Sequence, residues 1–122
     1  MNVCTKIVGL LVTGMIASTS VIAAEKIGYI TKSATNAGWM MINQGAADAA
    51  KEEGVDLITV GPAFQGDLSS QLEVFENLVS QGIKAIGIAP VDSAGISSAV
   101  NEAMKAGVSI IAIDTGVSGA GV

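Results

Sequence analysis

The chain has 122 residues, of which 50% are hydrophobic and 3% aromatic, and its formal net charge is −5. That length holds one small domain or part of a larger one, and the apolar share is ample for a core. All of its cations are lysines, six in number. A surface that tracks phosphates needs clustered Lys and Arg, so nucleic-acid binding is not expected. With no histidine anywhere, neither a Ser-His-Asp nor a Cys-His constellation can be assembled.

The first 24 residues differ from the rest. Lys6 is their only charged side chain, and Ile7 to Ala24 is an uncharged run of 18 residues ending in Val21-Ile22-Ala23-Ala24. A basic start, an apolar stretch and small residues at the end match a secretory signal peptide over 1–24, with cleavage after Ala23 or Ala24. A membrane anchor is the rival, but Thr13, Ser18, Thr19 and Ser20 dilute the run below what spanning asks. Cys4, the single cysteine, would leave with the signal. The mature chain then has no disulfide and no thiolate or imidazole to hold zinc.

From Lys26 to Thr31 the sequence reads as a first strand, followed by a loop over Lys32 to Gly38. A helix is expected from about Trp39 to Glu53, with Ile42, Ala46, Ala49 and Ala50 on its inner face and Gly54 as its left-handed stop. Asp56 to Val60 is the second strand. After Gly61-Pro62 and a loop to Asp67, a helix carries Leu68, Leu72, Phe75 and Val79 as its stripe. Gly82 ends that helix and Ala85 to Ala89 forms the third strand. Asp92 or Ser93 suits the cap of a third helix, buried through Ile96, Val100 and Met104. Gly107 closes it, Ser109 to Ile113 is the fourth strand, and beyond Asp114 no further element is expected.

Gly54, Gly82 and Gly107 thus punctuate three repeats of helix, glycine and apolar run, 28 and 25 residues apart (82 minus 54 and 107 minus 82). That spacing suits a strand with its crossover helix. The order β-α-β-α-β-α-β predicts an α/β fold: a parallel sheet with right-handed crossovers and helices on both faces. Four strands, the last without a covering helix, lead us to expect residues 25–122 to be part of a larger domain.

Several chemistries have no carrier. The loop after the first strand reads T-K-S-A-T-N-A-G, which lacks the G-x-G-x-x-G of a dinucleotide site, and V-D-S-A-G lacks the nucleophile elbow. What remains at the carboxyl ends of the strands, where open α/β folds bind ligands, is polar and acidic. Lys32, Asn36 and Trp39 follow the first strand, Asp67 and Gln71 the second, Asp92 the third, and Asp114 closes the fourth. Carboxylates accept from two hydroxyls at once, amides donate and accept, and an indole covers the C–H face of a sugar ring. The set suits a polyhydroxylated ligand. Each residue also fits a plainer role. Asp67 and Asp92 serve equally as helix caps, Gln71 as decoration of a first turn, Trp39 as packing at a helix start, and Lys32 as a solvated loop lysine. Asn is a common turn residue. Asp114 has no helix to cap, which favours ligand contact. A pair of carboxylates working on a glycoside is an enzyme reading with no further support in the residues.

In order and spacing, K-I-G-Y-I-T-K, N-A-G-W, G-A-A-D-A-A-K-E-E-G-V-D, D-L-S-S-Q, I-A-P-V-D-S-A-G and A-G-V-S-I-I-A-I-D-T-G-V resemble one family. Lys26 to Val117 is similar to the amino-terminal lobe of type I periplasmic sugar-binding proteins, the soluble receptors of ABC importers. The resemblance implies a periplasmic protein, monomeric at full length, that binds a monosaccharide or similar polyol between two lobes and delivers it to an inner-membrane permease. It implies no cofactor, no metal and no catalysis. It also implies that Trp39 stacks on the sugar, that Asn36 opens the aromatic cluster, and that Asp92 and Asp114 hold hydroxyls. Asp67 and Gln71 match a D-x-x-x-Q pattern of more structural character. Gly38 stands where members often carry a second aromatic, and Thr115 where many carry Arg. A sugar-responsive repressor core shares the fold, but such a repressor has a helix-turn-helix where this chain has its signal-like segment. A βα-repeat enzyme, such as part of a (β/α)₈ barrel, shares the repeat.

Overall fold

The computed structural model describes residues 25–122; the expected signal peptide, 1–24, lies outside them. The described chain forms β1 (Lys26–Ile30), α1 (Ala37–Glu53), β2 (Asp56–Val60), α2 (Leu68–Ser80), β3 (Ala85–Ile88), α3 (Ser97–Lys105) and β4 (Ser109–Ala112). All three strand pairs are parallel, and the sheet order is β2-β1-β3-β4. The chain moves outward from β1 to β2, then returns past β1 to β3 and continues to β4. The order therefore reverses beside β1, and a crevice opens between the carboxyl ends of β1 and β3.

Gly54, Gly82 and Gly107 have φ of 69°, 75° and 91°, a left-handed backbone that glycine adopts without a Cβ clash. Each lets a helix stop and the chain turn into the next strand. Gly54 illustrates the closure: its amide meets the last carbonyls of α1, while Val55 N–H donates to Ala50 C=O at 2.8 Å.

The core lies between the sheet and α2 with α3. Ile30, Ile86 and Ile88 project from the strands onto Phe75, Leu78, Ile96, Val100 and Ala103, all nearly or fully buried. Burial of each large aliphatic or aromatic side chain contributes about 1.5–3 kcal/mol. Gly28 admits α2 to the sheet, since a Cβ there would stand 2.8 Å from Leu78 Cδ1.

The stripes differ in detail from those read in the sequence. In α2 the buried positions are Gln71, Phe75 and Leu78, with Leu68, Leu72 and Val79 flanking them half-buried. In α3 Ala103 is buried, whereas Met104 is 36% exposed. In α1 the inner positions are Trp39, Asn43, Ala46 and Ala50, all half-buried, while Ile42 and Ala49 face solvent. Helical spacing of 4, 3 and 4 is kept in α1, but the stripe runs through a polar Asn one position away from Ile42. The segment after β4 forms no further helix or strand, as expected, and is tied to the loop and helix before it. Val117 is buried, Ser93 Oγ donates to Gly116 C=O at 2.6 Å, and Ser97 Oγ donates to Ser118 C=O at 2.6 Å.

Candidate functional site at the carboxyl edge of the sheet

The loop after β1 is stitched from inside. Ser33, almost fully buried, accepts from the amides of Thr35 at 3.2 Å and Asn36 at 3.1 Å. Thr31 Oγ1 donates to Ser33 C=O, and Thr35 Oγ1 reaches across to Ala63 C=O at 3.0 Å. These hydroxyls hold Lys32 and Asn36 in place, and they were not singled out in the sequence. Their only signal there is a run of small hydroxyl residues, T-K-S-A-T, suited to local side-chain-to-backbone bonding.

Lys32 crosses the edge to the end of β4. Its ammonium donates to Asp114 Oδ2 at 2.6 Å and to Thr115 Oγ1 at 2.7 Å, while the Thr115 hydroxyl donates to the same carboxylate oxygen at 3.0 Å. Asp114 is the one non-glycine residue with positive φ, 64°, among the described residues. This backbone turns its carboxylate back toward Lys32. The Lys32 hydrogen bond first, then the Thr115 hydroxyl and the Lys32 charge, hold the Asp114 carboxyl below the usual carboxylate range. Half of the Asp114 side chain stays open to solvent, and Oδ2 carries all of these contacts.

Asp92 takes a different local role. Its Oδ1 accepts from the amides of Ala94 at 2.9 Å and Gly95 at 2.8 Å, closing the turn that leads into α3. The helix itself begins at Ser97 behind Ile96, which makes no side-chain cap. The expected cap of α3 by Asp92 or Ser93 is thus displaced one turn forward. Gly95 allows this tight turn, because a Cβ there would overlap Leu68 Cδ2 and lie 3.2 Å from Asp92 Cγ. Asp92 is exposed, and Ser93 beside it ties this loop to the segment after Asp114 through Gly116 C=O and Ser118 N–H, the latter donating to Ser93 C=O at 2.9 Å.

The remaining predicted positions divide into caps and structure. Asn36 is the N-cap of α1, its Oδ1 accepting from Gly38 N–H at 2.9 Å and Trp39 N–H at 3.3 Å. Trp39 follows in the first turn, half-buried. Asp67 caps α2: Oδ1 accepts from Ser70 N–H at 3.0 Å and Oδ2 from Ser70 Oγ at 2.8 Å. The Ser70 amide and then its hydroxyl hold Asp67 below the ordinary range. Gln71 is fully buried, with its amide nitrogen on Thr31 C=O and Ala89 C=O and its oxygen on Val91 N–H. It is therefore no decoration of a first turn, and no ligand entering from solvent can reach it. Lys32 and Asp114 are brought together, Asp92 is tied to the same edge through Ser93, and Asp67 and Gln71 act beneath it.

Among the described residues no group of three or more His, Cys, Asp or Glu is arranged to hold a metal ion. The loops after β1, β3 and β4 carry a cation, Lys32, and two exposed carboxylates, Asp92 and Asp114, while Asn36 and Trp39 stand at the start of α1.

Residues 27–122 match the family model described as a periplasmic binding protein domain. The chain belongs to that family. It is 33% identical over 101 residues to a D-allose-binding periplasmic protein of Escherichia coli (strain K12), covering 83% of this chain and 32% of that protein. It is 35% identical over 88 residues to the ribose import binding protein RbsB of Bacillus subtilis (strain 168), covering 72% of this chain and 28% of that one. Among solved structures, a carbohydrate transporter solute-binding protein from Agrobacterium radiobacter in complex with D-arabinose superposes with a TM-score of 0.75 at 33% identity, covering 79% of this chain and 32% of that one. A periplasmic solute-binding protein from Actinobacillus succinogenes 130z with bound D-allose gives 0.73 at 28% identity, covering 77% and 33%. The chain thus spans about a third of the length of the relatives it matches.

Proposed function

We propose that this chain forms the amino-terminal lobe region of a periplasmic receptor for an ABC sugar importer, and that its carboxyl sheet edge is one wall of a site for a monosaccharide or similar polyol. The observation that carries the reading is the Lys32–Asp114–Thr115 cluster at the end of β4, in a chain whose relatives include proteins named for ribose and allose and a solved structure in complex with D-arabinose. Thr115 stands where the resemblance implies Arg, and Lys32 brings a cation to it and to Asp114 from the loop after β1. Among the described residues, Asp114 and Asp92 each keep one carboxylate oxygen without a protein donor and offer it to sugar hydroxyls. Trp39 covers the apolar face of the ring, and the exposed amide of Asn36 adds a donor. Asp67 and Gln71 support the wall from below. The relatives are binding proteins, which favours capture and release over catalysis, and their periplasmic names favour an exported importer component over a repressor core. The permease partner and the periplasmic location follow from the same reading.

One wall buries one side of a ligand, while tight sites enclose most of it. Binding by this chain alone is therefore weak. Titration of the 15N-labelled chain with D-ribose and D-allose at millimolar concentration is expected to shift the Trp39 indole and the amides of Lys32, Asp92 and Asp114 together. Shifts that avoid these four residues overturn the site. Calorimetry is expected to register no micromolar affinity, and a micromolar Kd overturns the one-wall reading.

A further inference from the structure

Where β1 and β3 part, the sheet runs out of its own hydrogen bonds. Ala89 N–H donates to Ile30 C=O at 2.8 Å, while Thr31 N–H, facing the other neighbour as alternate residues of a central strand do, donates to Val60 C=O at 3.0 Å. Past that point Pro62, which has no N–H, leaves Thr31 C=O without a donor on the β2 side, and the β1–β3 ladder provides no partner for Ala89 C=O or Val91 N–H. Pro90, between the last two, has no N–H of its own. Thr31, Ala89 and Pro90 are fully buried, so water is not a ready substitute, and a buried backbone group left unpaired is costly.

Gln71 answers these three groups with the three hydrogen-bonding functions it has. Its Nε2 donates to Thr31 C=O at 3.2 Å and to Ala89 C=O at 2.9 Å, and its Oε1 accepts from Val91 N–H at 2.9 Å. A primary carboxamide is the side-chain group that offers two donors and an acceptor in one plane. Its position comes from the first turn of α2, where Gln71 N–H donates to Asp67 C=O and the Asp67 side chain caps the same turn. The crevice side of both strands is thereby pinned to a helix rather than to each other.

We propose that Gln71 is a positioning residue: its buried carboxamide clamps the ends of β1 and β3 where they diverge and so sets the separation of the loops that carry Lys32 and Asp92. The function of the clamp rests on the reading that those loops contact the ligand. The clamp is one residue from Lys32 on one strand end, through Thr31, and one residue from Asp92 on the other, through Val91. A change in its length or hydrogen bonding is transmitted to both sides of the crevice at once.

The test begins without sugar. In the wild-type chain the Gln71 side-chain amide protons are expected to exchange with solvent at least about 100-fold more slowly than those of exposed Gln65; equal rates overturn the clamp. Gln71→Met keeps the length and removes all three bonds, and Ile86→Val lowers stability from within the same core. At matched global stability, only Gln71→Met is expected to speed Val91 amide exchange, by about tenfold or more, and to move the Lys32 and Asp92 resonances. If the Met variant does not fold, Gln71→Glu takes its place; it keeps the acceptor for Val91 but loses donors to Thr31 C=O and Ala89 C=O, so it is read through the Lys32 and Asp92 resonances and not through Val91 exchange. D-ribose is then the probe, and the Gln71 variant is expected to lose the coupled Lys32 and Asp92 shifts while Ile86→Val keeps them. Two variants that behave alike reduce Gln71 to packing and overturn the proposal. Intact exchange protection with no sugar-induced shift in the wild type overturns the ligand reading and leaves a strand clamp only.

Discussion

The two faces of the sheet are built to different standards. On one, α2 and α3 cover β1, β3 and β4 with a dense set of Ile, Phe, Leu and Val side chains. On the other, α1 packs chiefly along β2 and contributes no fully buried residue, while Met41 is 77% and Ile111 64% exposed. Tyr29 lies across Gly87 on that thinner face, where a Cβ at Gly87 would come within 3.1 Å of both the ring and Ile113 Cδ1. The residues of the carboxyl edge stand above both faces. The dense layer supplies the fully buried side chains, while α1 supplies none and carries Asn36 as its cap and Trp39 in its first turn.

That contrast is open to direct attack. The largest effect is expected from Phe75→Ala, which removes the biggest buried side chain of the dense face; a loss of about 3–5 kcal/mol in urea melts is expected. A loss below 1 kcal/mol would mean that the two faces share the load. Gly61→Ala comes next. Its Cβ would stand 2.8 Å from Thr31 Oγ1 and 3.2 Å from the Ser33 backbone carbon, so overpacking of about 1–3 kcal/mol is expected together with displaced Lys32 resonances. Spectra unchanged at Lys32 would show that the loop after β1 is not held as tightly as its hydrogen bonds suggest.

Acid provides a third, smaller perturbation. Asp67 and Asp114 are both held below the ordinary carboxylate range, so near the unfolded value of about 3.9 the unfolded chain binds more protons than the native one. Their contribution is present above that value and is lost as the pH falls through the folded values. Thermal melts from pH 6 down to pH 2 are expected to show falling stability, with a shallower fall in Asp114→Asn; an identical slope would remove Asp114 from the account. The smallest effect belongs to the thin face. Met41→Ser should change stability by no more than about 0.5 kcal/mol, and a larger loss would reveal packing on α1 that its exposure conceals.

Much of this architecture was legible from residue types alone. Glycines at 54, 82 and 107 marked the helix ends because their left-handed turns exclude most side chains, and Asp67 was readable as a cap for α2. Strand positions followed from short apolar runs, and a fold of parallel strands followed from their spacing. What stayed hidden depends on the third dimension. The inner face of α1 passes through Asn43 instead of Ile42, because α1 packs chiefly on the edge strand β2 and apolar content there is a poor guide to burial. Asp92 was readable as a polar residue before a helix, but its pairing with the Ala94 and Gly95 amides depends on how closely Gly95 approaches Leu68. The Lys32–Asp114 contact joins residues 82 apart in sequence (114 minus 32), across an intervening strand, and no local pattern announces it. Gln71 was visible as part of D-x-x-x-Q, whereas its three backbone partners lie on two other elements.

Few side chains can occupy position 114. Its left-handed backbone favours Gly, Asn and Asp and penalises β-branched residues most. Asn would keep the conformation but give up the ion pair with Lys32, and Gly would keep only the turn. Glu would retain the charge on a longer stem and at greater conformational cost. Of the residues that fit the backbone, Asp alone also carries the charge, so drift at this position would break the ion pair with Lys32 before it broke the turn.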